Sequence, residues 1–177
     1  MHYRNTQAAT TEEKSVRDSA LLPPSRVGLS RCLIVSTDPT RRELLRRAAA
    51  NGGWQTILCA DAERAMKVAE RMALQLTIID LEDADGHHPP KFDELQVRLS
   101  ETHKVLSIVC GNEGNVREEI WARQLGVWLY LPAANDLGSI SSICEEARDI
   151  TERLQAGQRA ANEPDSNRSR PAGMRTT

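Results

Sequence analysis

The stretch LTIIDLEDADG, residues 76–86, carries an apolar run into Asp80 and then adds Glu82, Asp83 and Asp85. A carboxylate placed where a buried strand meets water can bind a cation, act on a ligand, or serve only as polar punctuation. The three acids beyond it suit a loop, where Asp and Glu are soluble and turn-forming. They could also face Asp80 as oxygen ligands. His87 and His88 follow, but with no third ligand at a defined spacing they read as solvated loop residues rather than a metal site. A further acid, Asp38, closes the run CLIVSTD and precedes Pro39, the arrangement of a helix cap with proline at the first helical position. Cys110 ends another apolar run, and with no cationic neighbour in sequence it reads as a quiet buried thiol. Arg41, Arg42, Arg46 and Arg47 could grip an acidic partner. With Glu43 among them, they read as a solvated helix face.

These residues are positioned by a regular alternation. Short runs rich in β-branched residues occur at 32–36, 56–59, 76–80, 105–109 and 127–131. Continuously apolar strands point to burial on both faces, as in a parallel sheet. Segments with helical spacing lie between them. The first buries Leu44, Leu45 and Ala48 and stops at Gly52-Gly53; the second starts at Asp61; the third follows Pro89-Pro90; the fourth runs from about 116 to 125. The last carries Leu137, Ile140, Ile143, Ala147, Ile150 and Leu154 as one stripe. The pattern is (βα)5. It predicts a doubly wound α/β fold with a five-stranded parallel sheet. Right-handed crossovers put helices on both faces, and ligands in such folds bind beyond the carboxyl ends of the strands. Asp80 is expected at one of those ends.

Composition agrees with a soluble domain: 40% of residues are hydrophobic and 27% charged. No apolar run approaches the roughly 20 residues needed to span a bilayer, and the N-terminus lacks the apolar stretch of a secretory signal. Residues 1–30 and 157–177 are expected to be disordered tails around a single domain at 31–156. Net charge is −2 for the whole chain, with +2 on residues 1–31 and +2 on residues 157–177, so the body is acidic at −6. An acidic body argues against nucleic-acid binding. Cys32, Cys59, Cys110 and Cys144 lie far apart with no CxxC pair, which favours free thiols in a reducing cytoplasm over disulfides.

Taken in order, LIVSTDPTRRELLRR, CADAERAM, LTIIDL and GVWLYL resemble the first strand and helix, the turn into the second helix, the acceptor strand and the fifth strand of the receiver domain of two-component response regulators. The resemblance covers residues 32–156 and implies a flavodoxin-like fold with the five strands in the order 2-1-3-4-5. It implies that Asp80 is the phosphoacceptor, modified by a histidine kinase with Mg²⁺ as the required cation, and that the protein is a signalling module rather than an enzyme. It also implies that the region of Trp121, Trp128 and Tyr130, with the last helix, docks a signalling partner, either a kinase or a downstream effector, or a second copy in a homodimer.

Several positions depart from that family. Mg²⁺ needs hard oxygen ligands in octahedral array, and receivers place two acids at the end of the first strand. Here those positions hold Ser36 and Thr37, leaving Asp38 one place late as a weak ligand beside Asp80. The hydroxyl expected at the end of the fourth strand falls on Cys110, since Ser107 lies mid-strand. The lysine expected after the fifth strand falls on Ala133. Each charged contact in a phosphate site is worth about 1.5–3 kcal/mol, so losing three lowers phosphorylation competence by several powers of ten. The expectation is therefore a degenerate, stand-alone pseudo-receiver that acts by protein–protein interaction, is bound to no membrane, and needs no cofactor. The alternative is an active phosphoacceptor that uses Asp80 and Mg²⁺. A nucleotide or cobalamin domain fits less well, because the turn after the first strand, VSTDPTRR, has no glycine.

Overall fold

All five apolar runs form strands. The computed structural model describes residues 30–81, 90–101 and 105–162. The strands are β1 (Arg31–Val35), β2 (Gln55–Cys59), β3 (Leu76–Asp80), β4 (Leu106–Gly111) and β5 (Leu129–Pro132), alternating with α1 (Pro39–Asn51), α2 (Ala62–Arg71), α3 (Pro90–Glu101), α4 (Val116–Gln124) and α5 (Leu137–Asn162). The sheet is parallel throughout in the order β2-β1-β3-β4-β5. β3 lies at its centre, and all five of its residues are buried.

Because side chains alternate across a strand, β1 and β3 each feed two cores. Cys32 and Ile34 of β1, with Leu76 and Ile78 of β3, pack beneath α1 and α5 together with Leu45, Ala48, Ile140, Cys144 and Ala147. Leu33, Val35 and Ile79 pack on the other face against Ala65 of α2, Leu95 and Leu99 of α3, and Ala122 of α4. Each such aliphatic side chain contributes about 1.5–3 kcal/mol on burial.

Local sequence sets the helix starts. Asp38 accepts hydrogen bonds from the backbone N–H of Thr40 and Arg41, and Pro39 sits at the first helical position of α1. Asp61 caps α2 through the N–H of Arg64. Helix α1 ends against α5 at Gly52, where an added Cβ would lie 2.7 Å from the Cβ of Cys144. Trp54 Nε1 then donates to the Cys144 carbonyl at 2.8 Å.

Helix α5 departs from the expected boundary at residue 156. It continues through Gly157 to Asn162, where Gln, Arg and Ala favour helix over coil. At 1.5 Å per residue it is about 39 Å long, against roughly 17 Å for a five-residue strand. It therefore overhangs the sheet. Among the described residues no helix is long and apolar enough to cross a membrane.

Candidate functional site

Strand periodicity aims the carboxylate. Asp80 shares its face of β3 with Leu76 and Ile78, so its side chain emerges on the α1/α5 side of the sheet. The same parity puts Ser36 on that side just beyond β1, and Cys110 on that side of β4, where it pairs with Asp80 in register. Asp80 is 6% exposed and both Ser36 and Cys110 are fully buried.

The cation that meets Asp80 comes from α1. With Asp38 as its cap, Arg41 falls in the first turn, over the carboxyl edge of the sheet. Its Nε donates to Asp80 Oδ1 and Oδ2 at 3.1 and 3.0 Å, and its Nη2 donates to Oδ1 at 3.0 Å. The two side chains retain only 11% and 3% of their exposure. Ser36 Oγ reaches Asp80 Oδ2 at 2.8 Å. The rest of the guanidinium faces the loop after β5: Nη1 donates to Asn135 Oδ1 at 2.6 Å and Nη2 to the Ala134 carbonyl at 3.3 Å. That loop turns sharply at Ala133, a non-glycine residue at φ 48°, a conformation uncommon for a residue with a Cβ. One arginine thus ties together the start of α1, the end of β3 and the β5–α5 turn.

The described residues in this corner do not fit a divalent cation. Hard ions such as Mg²⁺ call for several oxygen donors, usually including carboxylates. Both oxygens of Asp80 face a guanidinium. The first-strand positions hold the hydroxyls of Ser36 and Thr37, and Asp38 directs Oδ1 at backbone N–H groups of α1. Among the described residues no group of three or more His, Cys, Asp or Glu could hold a metal. Glu82, Asp83, Asp85, His87 and His88 lie outside the described residues.

Of the arginine run, Arg46 matches the expectation of a solvated face, paired with Glu43. Arg41 does not, and Arg42 Nη1 donates to the Ser36 carbonyl at 2.6 Å. The signal was present in the sequence: a cap at Asp38 places residue 41 in the first turn, next to the strand ends.

A second buried carboxylate lies where β4 ends, and the sequence reading passed it over. Glu118 of α4 is 2% exposed. It accepts hydrogen bonds from Asn112 N at 2.9 Å, Asn112 Nδ2 at 3.1 Å, Asn115 Nδ2 at 2.6 Å and Tyr130 Oη at 3.2 Å. All four donors are neutral. Burial first, and then the charge and hydrogen bond of Glu118, push the Tyr130 hydroxyl well above its ordinary pKa. Gly111 is required beneath this cluster, because a Cβ there would meet Tyr130 Oη at 2.3 Å and Glu118 Oε2 at 2.6 Å.

The aromatic residues singled out in the sequence are half-buried and occupied with packing. Trp121 Nε1 donates to Asp93 Oδ1 at 2.5 Å, joining α4 to α3. Trp128 packs on the α1/α5 core, and Tyr130 on the opposite one. The exposed apolar side chains of α4 are Val116, at 64%, and Ile120, at 50%. Ser107 serves the interior of the sheet: its Oγ donates to Gln96 of α3 and accepts from Thr77. All four cysteines are free and buried.

No family model and no curated protein matches the chain at the level of sequence. Solved structures match its fold. A response regulator receiver domain (CheY-like) from Methanospirillum hungatei JF-1 aligns with a TM-score of 0.61 at 16% identity, over 72% of this chain and 99% of that one. The signal receiver domain of an HD domain-containing protein from Pseudomonas fluorescens Pf-5 aligns at 0.59 and 15% identity, over 71% and 99%. The N-terminal domain of an uncharacterized protein from Wolinella succinogenes aligns at 0.59 and 25% identity, over 71% and 98%. The architecture is that of CheY-like receivers.

Proposed function

We propose that this chain is a receiver-type module of two-component or phosphorelay signalling in which an internal ion pair replaces phosphoryl-accepting chemistry. On this reading it works by binding a signalling partner, a histidine kinase or a downstream effector, and is not an enzyme. The observation that carries the reading is the guanidinium of Arg41 gripping both oxygens of Asp80. A carboxylate must present a free oxygen to attack phosphorus. Withdrawing Arg41 from a buried pair costs about 3–5 kcal/mol, a penalty of roughly two to four powers of ten before any chemistry. Among the described residues nothing offsets that cost, because Ser36 and Thr37 stand where a cation would need acids.

The partner surface would include Val116 and Ile120, which stand one turn apart on the exposed side of α4. The half-buried Trp121 and Tyr130, which belong to the core beneath α4, would support that surface from behind, whereas Trp128 faces the α1/α5 core. Buried free thiols suit the reducing cytoplasm in which such modules act.

The test is to incubate the protein with Mg²⁺ and acetyl phosphate, and separately with beryllofluoride, and to follow intact mass and tryptophan fluorescence. The expected result is no adduct and no fluorescence change while the fold stays intact. An adduct that disappears in Asp80→Asn would overturn the reading in favour of an active phosphoacceptor.

A further inference from the structure

A groove lies at the end of the sheet opposite Asp80. Ala69, Met72 and Leu74 at the end of α2, Leu99 of α3, Val105 and Leu154 of α5 give it an apolar lining, and its volume is about 440 Å³. It exists because α5 overhangs the sheet, leaving Leu154 50% exposed and Met72 37% exposed. Glu70 and Arg98 form an ion pair at its rim.

The chain reaches β1 beside this groove. The Ser30 carbonyl accepts from Gln55 N, and Arg31 N donates to Gln75 Oε1 at 2.8 Å, while Gln75 itself lines the groove. Ser30, to which residues 1–29 are joined, therefore lies next to an apolar surface that no described residue covers. Residues 1–29 include Val16, Ala20, Leu21, Leu22, Val27 and Leu29, whereas residues 163–177 offer only Ala172 and Met174 as comparable groups. From Ser30 back to Leu22, an extended chain reaches roughly 26 Å.

We infer that the segment 16–29 of this same chain occupies the groove, with Leu21 and Leu22 seated between α5 and the ends of α2 and α3. A segment with no core of its own can still order on another surface. Tethering gives it an effective concentration on the order of millimolar, so a weak contact suffices. The site is remote from Asp80 and independent of whether that residue accepts phosphate.

The test uses the full chain with paired cysteines, the native thiols being buried. Ala20→Cys is combined either with Gln158→Cys at the groove rim or with Gln55→Cys. Both partner positions are exposed, and Gln55 adjoins Ser30 on the side away from the groove. Under mild oxidation with non-reducing peptide mapping, the groove pair should form its intramolecular disulfide at least about tenfold faster, because a seated segment holds residue 20 beside position 158 whereas an unseated tether presents it to both positions. Adding Leu21→Ser and Leu22→Ser should bring the ratio close to one. Equal rates in the parent pairs would overturn the inference. Disulfides found mainly between chains would also overturn it, and would assign the groove to a second copy.

Discussion

Removing Arg41 gives the most direct test of how the Asp80 corner is built. In Arg41→Ala, the carboxylate of Asp80, 3% exposed at its side chain, would keep Ser36 Oγ and lose the fork of Nε and Nη2. An uncompensated buried charge costs about 3–5 kcal/mol. For a domain of this size that lowers Tm by about 10–20 °C. Asp80→Ala, which strands the guanidinium instead, should cost somewhat less, because Arg41 keeps Asn135 Oδ1 and the Ala134 carbonyl and has more access to water. The double variant removes both charges and should be less destabilised than the sum of the two singles. A coupling energy of roughly 3 kcal/mol is expected from urea melts of the four proteins. If Arg41→Ala costs under about 1 kcal/mol and the singles add, the pair behaves like an exposed surface bridge. The claim that it shuts the site would then be wrong.

Glu118→Gln keeps the size of the buried side chain but turns an amide NH₂ toward neutral donors that now share a carboxylate. The cost should be about 1–3 kcal/mol, read as a shift in the urea midpoint; a silent substitution would show that the four hydrogen bonds do not bear on stability. At alkaline pH the thiols matter. Burial, and secondarily Glu145, raises Cys144 to about 12 from an ordinary value near 9.0, and burial also raises Cys32. A group raised in the folded state stabilises fully below its unfolded pKa and loses that contribution as pH rises toward the folded value. Stability should therefore fall between about pH 9 and 12, with each thiol adding about 1.4 kcal/mol per pH unit to the slope. Cys144→Ala, although less stable at neutral pH, should show a shallower alkaline slope in urea melts, and an unchanged slope would refute the assignment.

The sequence by itself determined what depends on neighbours a few residues apart. Runs of β-branched residues set the strands, Asp38-Pro39 and Asp61 set two helix starts, and the alternation of strand and helix set the parallel direction of the strands. Period two then placed Asp80 at the carboxyl edge on a known face. The sequence also put Ser36, Thr37 and Ala133 where the resemblance to receivers calls for two acids and a lysine. It did not show that Arg41 would meet Asp80. Arg41 and Asp80 are 39 positions apart, and Arg41 and Asn135 are 94 apart. Which of four arginines enters the site depends on how α1 crosses the sheet. The same holds for Glu118, whose burial arises only where α4 folds over the ends of β4 and β5, and for Trp121 and Tyr130, whose polar atoms found partners inside the fold. Charge run and aromatic cluster have the same composition whether they face water or the interior, and only the packing of distant elements distinguishes the two.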